Sequence, residues 1–277
     1  MRLLLASLPF IAASCVIDLN NISGARSSRV DTLSFTPSAP VTEVFVDTFN
    51  GGVTIEPGTG AGVSGSSKVW ASGSTDERAN ARLATMTWTF VEETGGRLVV
   101  RMSAPEGGSN NSGASATLQV PAGVRVLVDT SNGGVEVKGE FPYAWVDTSN
   151  GSVVVNGAKD VFVDTSNGQV EVNADGKVVI DTSNGAVIYT GASKDFFIDS
   201  SNGNIDVGLA GDWNGKGIVD TSNGSIGVEC SGVLNCALQH DTSNGRLKVE
   251  GPEVAGKDGS LNLQTSNGSI RVKHGKP

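Results

Sequence analysis

The chain has 277 residues, 37 of them glycine, with only 5% aromatic side chains and a formal net charge of −9. That length suffices for a substantial core, and the acidic balance argues against nucleic acid or an anionic membrane surface as an electrostatic partner. No run approaches 18 apolar residues, so no membrane-spanning helix is expected.

Arg2 is followed by the apolar run 3–12 and then by Ala13-Ser14-Cys15. A basic start, a short apolar stretch and small residues read as a secretory signal over 1–14. Cys15 resembles the acylated first residue of a bacterial lipoprotein, although Ala12 departs from the more usual Leu. The alternative is ordinary signal cleavage nearby and a soluble secreted protein. Val16 follows Cys15 with no Asp, which by resemblance to Gram-negative sorting implies an outer-membrane anchor. Residues 15–40 lack periodicity and carry Ser, Asn, Gly and Pro. They read as a flexible tether that would reach on the order of 25–30 Å.

The predicted β domain spans 41–274. A first copy of a repeated turn, Asp-Thr-Phe-Asn-Gly, begins at Asp47. The stretch 60–120 then interrupts the repeat. It contains predicted strands around 68–72, 87–92, 97–103 and 116–120, and a short helix from Thr75 to about Met86 with Ser74 or Thr75 as N-cap. A stack of coils needs a cap over its first member, and this stretch reads as an atypical capping region.

From 121 to 274 the repeat is regular. Asp-Thr-Ser-Asn-Gly begins at Asp129, Asp147, Asp164, Asp181, Asp220 and Asp241, with variants at Asp199 and Gln264. Two and four residues past each Gly stand apolar pairs such as Val135/Val137, Val170/Val172 and Ile226/Val228, with an outward residue, mostly polar, between them. Pairs such as Val161/Val163 and Val178/Ile180 precede the motif. Period-two alternation of β-branched residues marks strands with one buried face. Asn-Gly ordinarily suggests antiparallel hairpins. Here one motif recurs every 17–23 residues, and insertions fall in the return segments (209–217, 251–260), so like residues stack on like. The expected fold is all-β: a single-domain parallel β-solenoid. The charged tail (Arg271, Lys273, His274, Lys276) reads as protection of a terminal strand against edge pairing.

This repeat, with the blocks Phe90–Glu93, Gly95-Gly96-Arg97-Leu98 and 118–123, resembles the bacterial putative-adhesin domains of unknown function, whose relatives include auto-transporter-adhesin-like heads. The resemblance covers roughly 41–274. It implies a right-handed parallel β-solenoid in a cell-envelope setting, and it brings no catalytic residues.

Four groups of residues are candidates for function. Cys230 and Cys236, in an oxidising compartment, suggest a disulfide closing a small loop. Asp129, Asp147, Asp164, Asp181, Asp199, Asp220 and Asp241 should stack outward. Local hydrogen bonds to turn N–H groups or to Thr and Ser hydroxyls would offset their repulsion, or a row of Ca²⁺ ions would. The stacked Asn of each turn is explained by an amide ladder at a corner needing positive φ. Phe45, Leu127, Trp145, Phe162, Val179, Phe197 and Ile218 hold a position whose parity is outward. This apolar stripe is either covered by the cap, tether or return segments, or it is a binding face for protein or sugar. His240 stands where other repeats carry Val or Ile, and no nucleophile, base and phosphate-loop constellation accompanies it. The sequence reads as a non-enzymatic adhesin-like scaffold needing no cofactor. The other reading is a polysaccharide-binding or polysaccharide-cleaving β-helix, calcium-dependent or not.

Overall fold

Alternating inward valines build two facing rows of strands, one on each side of every Asn-Gly turn. A computed structural model describes residues 13–16, 24–105, 107–252 and 258–275. Residues 1–12 of the expected signal segment 1–14 and residues 17–23 of the expected tether lie outside the described residues. The fold is an all-β parallel solenoid with one helix among the described residues. It resolves into two compact units, Met1–Phe141 and Pro142–Pro277. The division falls inside the regular repeats, where the sequence predicts a single domain.

The N-terminal unit contains β1 (Ala13–Val16), β2 (Ala25–Phe35), β3 (Glu43–Thr48), β4 (Val53–Gly58), β5 (Val63–Gly73), α1 (Asp76–Thr85), β6 (Trp88–Glu93), β7 (Arg97–Met102), β8 (Ser112–Pro121), β9 (Arg125–Asn132) and β10 (Val135–Lys138). Its regular coils are β3/β4 and β9/β10. They stack in parallel with Asp47 opposite Asp129 and Val53 opposite Val135. The stretch 60–120 covers the first coil. β7 and β8 lie alongside β3 and β4, and antiparallel β6 and β5 extend each row. Thr75 caps α1 by accepting from the Arg78 N–H at 3.3 Å, with Asp76 and Glu77 in the first turn.

The tether expectation is corrected over much of its length. Residues 25–35 are β2, paired antiparallel with β5 along its whole length, and β1 pairs with β2. Asp31 is fully buried and pairs with Arg29 at 2.8 Å, and Arg29 donates on to the carbonyls of Leu83 (2.5 Å) and Met86. One guanidinium thus satisfies the open carbonyls at the helix C-terminus and a buried carboxylate together.

The C-terminal unit contains β11 (Tyr143–Asn150), β12 (Val153–Asn156), β13 (Asp160–Asn167), β14 (Val170–Asn173), β15 (Val178–Thr182), β16 (Val187–Gly191), β17 (Asp195–Ser200), β18 (Ile205–Leu209), β19 (Lys216–Thr221), β20 (Ile226–Cys230), β21 (Ala237–Thr242), β22 (Leu247–Glu250), β23 (Ser260–Thr265) and β24 (Ile270–Lys273). Odd-numbered strands, which lead into the Asp-Thr-Ser motif or its variants at Asp199 and Gln264, form one sheet, and even-numbered strands form the other. Every pairing is parallel and in phase, for example Asp164 opposite Asp181 and Thr165 opposite Thr182. Inward residues such as Val146, Val163, Val172 and Ile198 are fully buried or nearly so. Longer return segments pack rather than dangle. Trp213 is buried, donates from Nε1 to the Ser193 carbonyl at 2.6 Å, and completes an aromatic cluster with Phe196 and Tyr189.

The last two coils exchange places. In space the order is β19, β23, β21 in one sheet and β20, β24, β22 in the other. The final coil of the sequence is therefore wedged beneath the penultimate one. This corrects the reading of the basic tail, because Arg271 and Lys273 sit on an interior strand and the true edge is β22.

Candidate functional site

The repeated turn proves to be framework. Successive turn asparagines donate from Nδ2 to the Oδ1 of a neighbouring coil, as Asn184 does to Asn167 at 3.0 Å, Asn202 to Asn184 at 2.9 Å and Asn223 to Asn202 at 2.9 Å. Positive φ is not the reason for these residues, contrary to expectation, since among the turn asparagines only Asn50 has it, at 46°. Glycine is required by close approach instead. A Cβ on Gly168 would sit 2.0 Å from the Gly151 carbonyl oxygen, and one on Gly203 would sit 1.9 Å from that of Gly185. The Thr between Asp and Ser faces inward and is buried except on the outer coil, where Thr242 is half-buried, and Thr221 and Thr265 donate to the Gly203 and Gly224 carbonyls at 3.0 and 2.8 Å.

Outside this frame run two parallel files on the odd-numbered sheet. The first is the aspartates. In the C-terminal unit Asp147, Asp164, Asp181, Asp199 and Asp220 follow one another in register. Gln264 then separates Asp220 from Asp241. Partial burial, then the neighbouring Asp164, raises the carboxyls of Asp147 and Asp181 above the usual range; for Asp199 the cause is burial, then Asp220 and Asp181. In the N-terminal unit Asp47, beside Asp129, receives Arg101 at 2.7 Å. The aspartates are in single file, and among the described residues no three His, Cys, Asp or Glu side chains converge as a metal site.

The second file is the apolar stripe. Trp145, Phe162, Val179, Phe197 and Ile218 lie opposite one another across five consecutive strands. The rings of Trp145 and Phe162 stack at 6.4 Å, with planes 14° apart. Phe197 and Ile218 are 38% and 44% exposed, and the other three are half-buried. Asn262 and Gln239 end the row on the wedged and outer coils. In the N-terminal unit Phe45 and Leu127 are paired neighbours, both half-buried, and the Arg97 guanidinium lies 4.7 Å over the Phe45 ring.

The other sequence candidates fare differently. Cys230 and Cys236 are buried free thiols, not the expected bridge. The loop between them is pinned to the preceding return segment by Ser231 N–H to Leu209 O, Asn235 N–H to Trp213 O and Trp213 N–H to Val233 O. The Cys230 thiol meanwhile donates to the Gly211 carbonyl at 3.2 Å. Burial pushes both thiols up. His240 is exposed on the outer strand β21, opposite Leu263. Cys15 lies on β1, opposite Arg29.

Sequence reasoning missed a trough on the outer face of the even-numbered sheet. Gly208 and Gly227 leave a hollow of about 340 Å³ between Ile188 and Thr190 on one side and Arg271 and Lys273 on the other, with Asp206 and Glu229 beside it. Two glycines at outward positions of neighbouring repeats were the available signal.

No family model and no curated protein matches the chain. Two solved structures are similar in fold. One is described as a putative adhesin from Bacteroides fragilis, with TM-score 0.47 and 12% identity over 88% of this chain and 96% of that one. The other, described as a putative cell adhesion protein from Clostridium sporogenes, has TM-score 0.29 and 11% identity over 96% of this chain and 100% of that one.

Proposed function

We propose that the chain is an exported, non-enzymatic, adhesin-like interaction scaffold, held at the outer membrane by a lipid on Cys15, with the row from Trp145 to Ile218 as its contact face. The observation that carries this reading is the in-register apolar row, open to solvent at Phe197 and Ile218 and half-buried at Trp145, Phe162 and Val179. An exposed apolar strip on a rigid sheet marks a partner surface, and flat aromatic members suit either a protein or a sugar ring. The aspartate file beside it favours a partner that lays apolar surface on the row and sets cationic groups along the carboxylates.

Replacing Trp145 and Phe162 together by Ser tests the face. The variant is expected to melt as the parent does while losing attachment to cells and retention on a glycan array; misfolding would assign the row to structure. Cys15→Ser is expected to move the protein from the membrane fraction to the soluble one. Reducing ends released from uronate polymers, with or without calcium, would instead support a polysaccharide-cleaving enzyme.

A further inference from the structure

The outer coil of the C-terminal unit, β21 and β22, is the last member of both sheets. In the coil beneath it Leu261, Leu263, Ile270 and Val272 are fully buried, whereas Leu247 and Val249 in the outer coil stand 37% and 41% exposed. Both outer strands also present a row of backbone N–H and C=O groups that no further strand pairs with among the described residues. Such an edge is a template for another chain. The amide ladder stops here as well: Asn244 donates to Asn267 Oδ1 at 2.9 Å, and among the described residues no further amide follows it.

The first coil of the N-terminal unit is closed in a way the outer coil is not. Asn50 Nδ2 is satisfied by the carbonyls of Ser109 and Ser112 at 2.9 and 3.0 Å, and β7 and β8 already pair with β3 and β4. A second copy therefore offers no open first coil on which to continue the stack; the sheets end there on β1 and β6, which lie outside the regular coils. The surface that matches the outer coil in kind is the same coil of a second copy.

We propose that two copies of the chain join through this coil about a two-fold axis, with β22 antiparallel to its counterpart and Val249 opposite Val249. The charges select that register. It sets Lys248 of each copy against Glu250 of the other, so signs alternate across the seam. Within each copy Glu250 already pairs with the exposed Lys248 and takes the Arg271 guanidinium at 3.2 Å, so positive groups flank each Glu250 and the seam extends an existing alternation of charge. Edge lysines generally deter pairing; here the Glu two residues on turns deterrence into choice of register. An isologous contact uses up both open coils, so assembly stops at two.

Sedimentation equilibrium on the full chain tests this, with thermal melting as the control for folding. The unmodified chain is expected to be a dimer at micromolar concentration. Lys248→Glu or Glu250→Lys alone should weaken association on the order of tenfold by placing like charges opposite one another. The double exchange should restore it. A monomer at all concentrations, growth beyond the dimer, or single exchanges without effect would each overturn the proposal.

Discussion

Gly168 and its stacked equivalents show why a repeat that reads as a turn signal is a packing constraint. The carbonyl of one glycine occupies the place of the next one's Cβ, so Gly168→Ala must push two coils apart. Overpacking of this kind is expected to cost about 1–3 kcal/mol or more, read as a lowered denaturation midpoint. Two sets of titrating groups act in opposite directions. Asp147, Asp181 and Asp199 titrate above their usual value of 3.8, from burial and then neighbouring carboxylates. Their favourable contribution is therefore complete below 3.8 and lost as pH rises through the raised values. His274 is buried, accepts from the Leu234 N–H at 3.4 Å, and is held below its usual 6.5 by burial. Its contribution is complete above 6.5 and lost as pH falls below it. Asp181→Asn with Asp199→Asn should raise the melting temperature at pH 7, with the gain shrinking toward pH 4. His274→Gln should remove part of the loss seen between pH 7 and 5. Added salt should favour the parent more than the double Asp variant, because screening relieves the same repulsion.

At the scale of elements, the register of the regular strands was legible, because a motif that repeats letter for letter can satisfy parity only when Asp stacks on Asp. β2 was not legible. Its inward positions include Ser27 and Asp31, so the alternation that betrays other strands is masked by a polar residue whose burial depends on a distant arginine and a helix end. Asp31→Ala should strand Arg29 among buried carbonyls and cost about 3–5 kcal/mol, with earliest loss of amide protection in β2 and α1. The stripe was legible as an anomaly of parity, but whether anything covered it was not, since cover comes from elements remote in sequence. The trough on the opposite sheet shows the same limit: two outward glycines become a hollow only once neighbouring strands align them.

For the whole molecule, composition and spacing fixed the fold class, yet the order of the last coils escaped. Repeats that share one motif fit one another's slots, and the letters do not say which neighbour each will choose. Two residues hinted at it. His240 takes a core position that only an end coil tolerates, and Gln264 removes a charge where it would otherwise lie between Asp220 and Asp241. The expected consequence is measurable by hydrogen exchange. A chain ending at residue 252 should lose protection throughout β21 and β22, although both are present in it, because their partner strands β23 and β24 are gone.

The wedged coil also makes the molecule sensitive to its own completion. A chain threaded outward from its N-terminus releases β21 and β22 before the segment they must rest on. The strands β23 and β24, made later, slip inside, as a keystone does, rather than on top. Until then the coil of β21 and β22 lacks the strands it pairs with, so a product stopped before β23 is expected to forfeit two layers for one missing stretch.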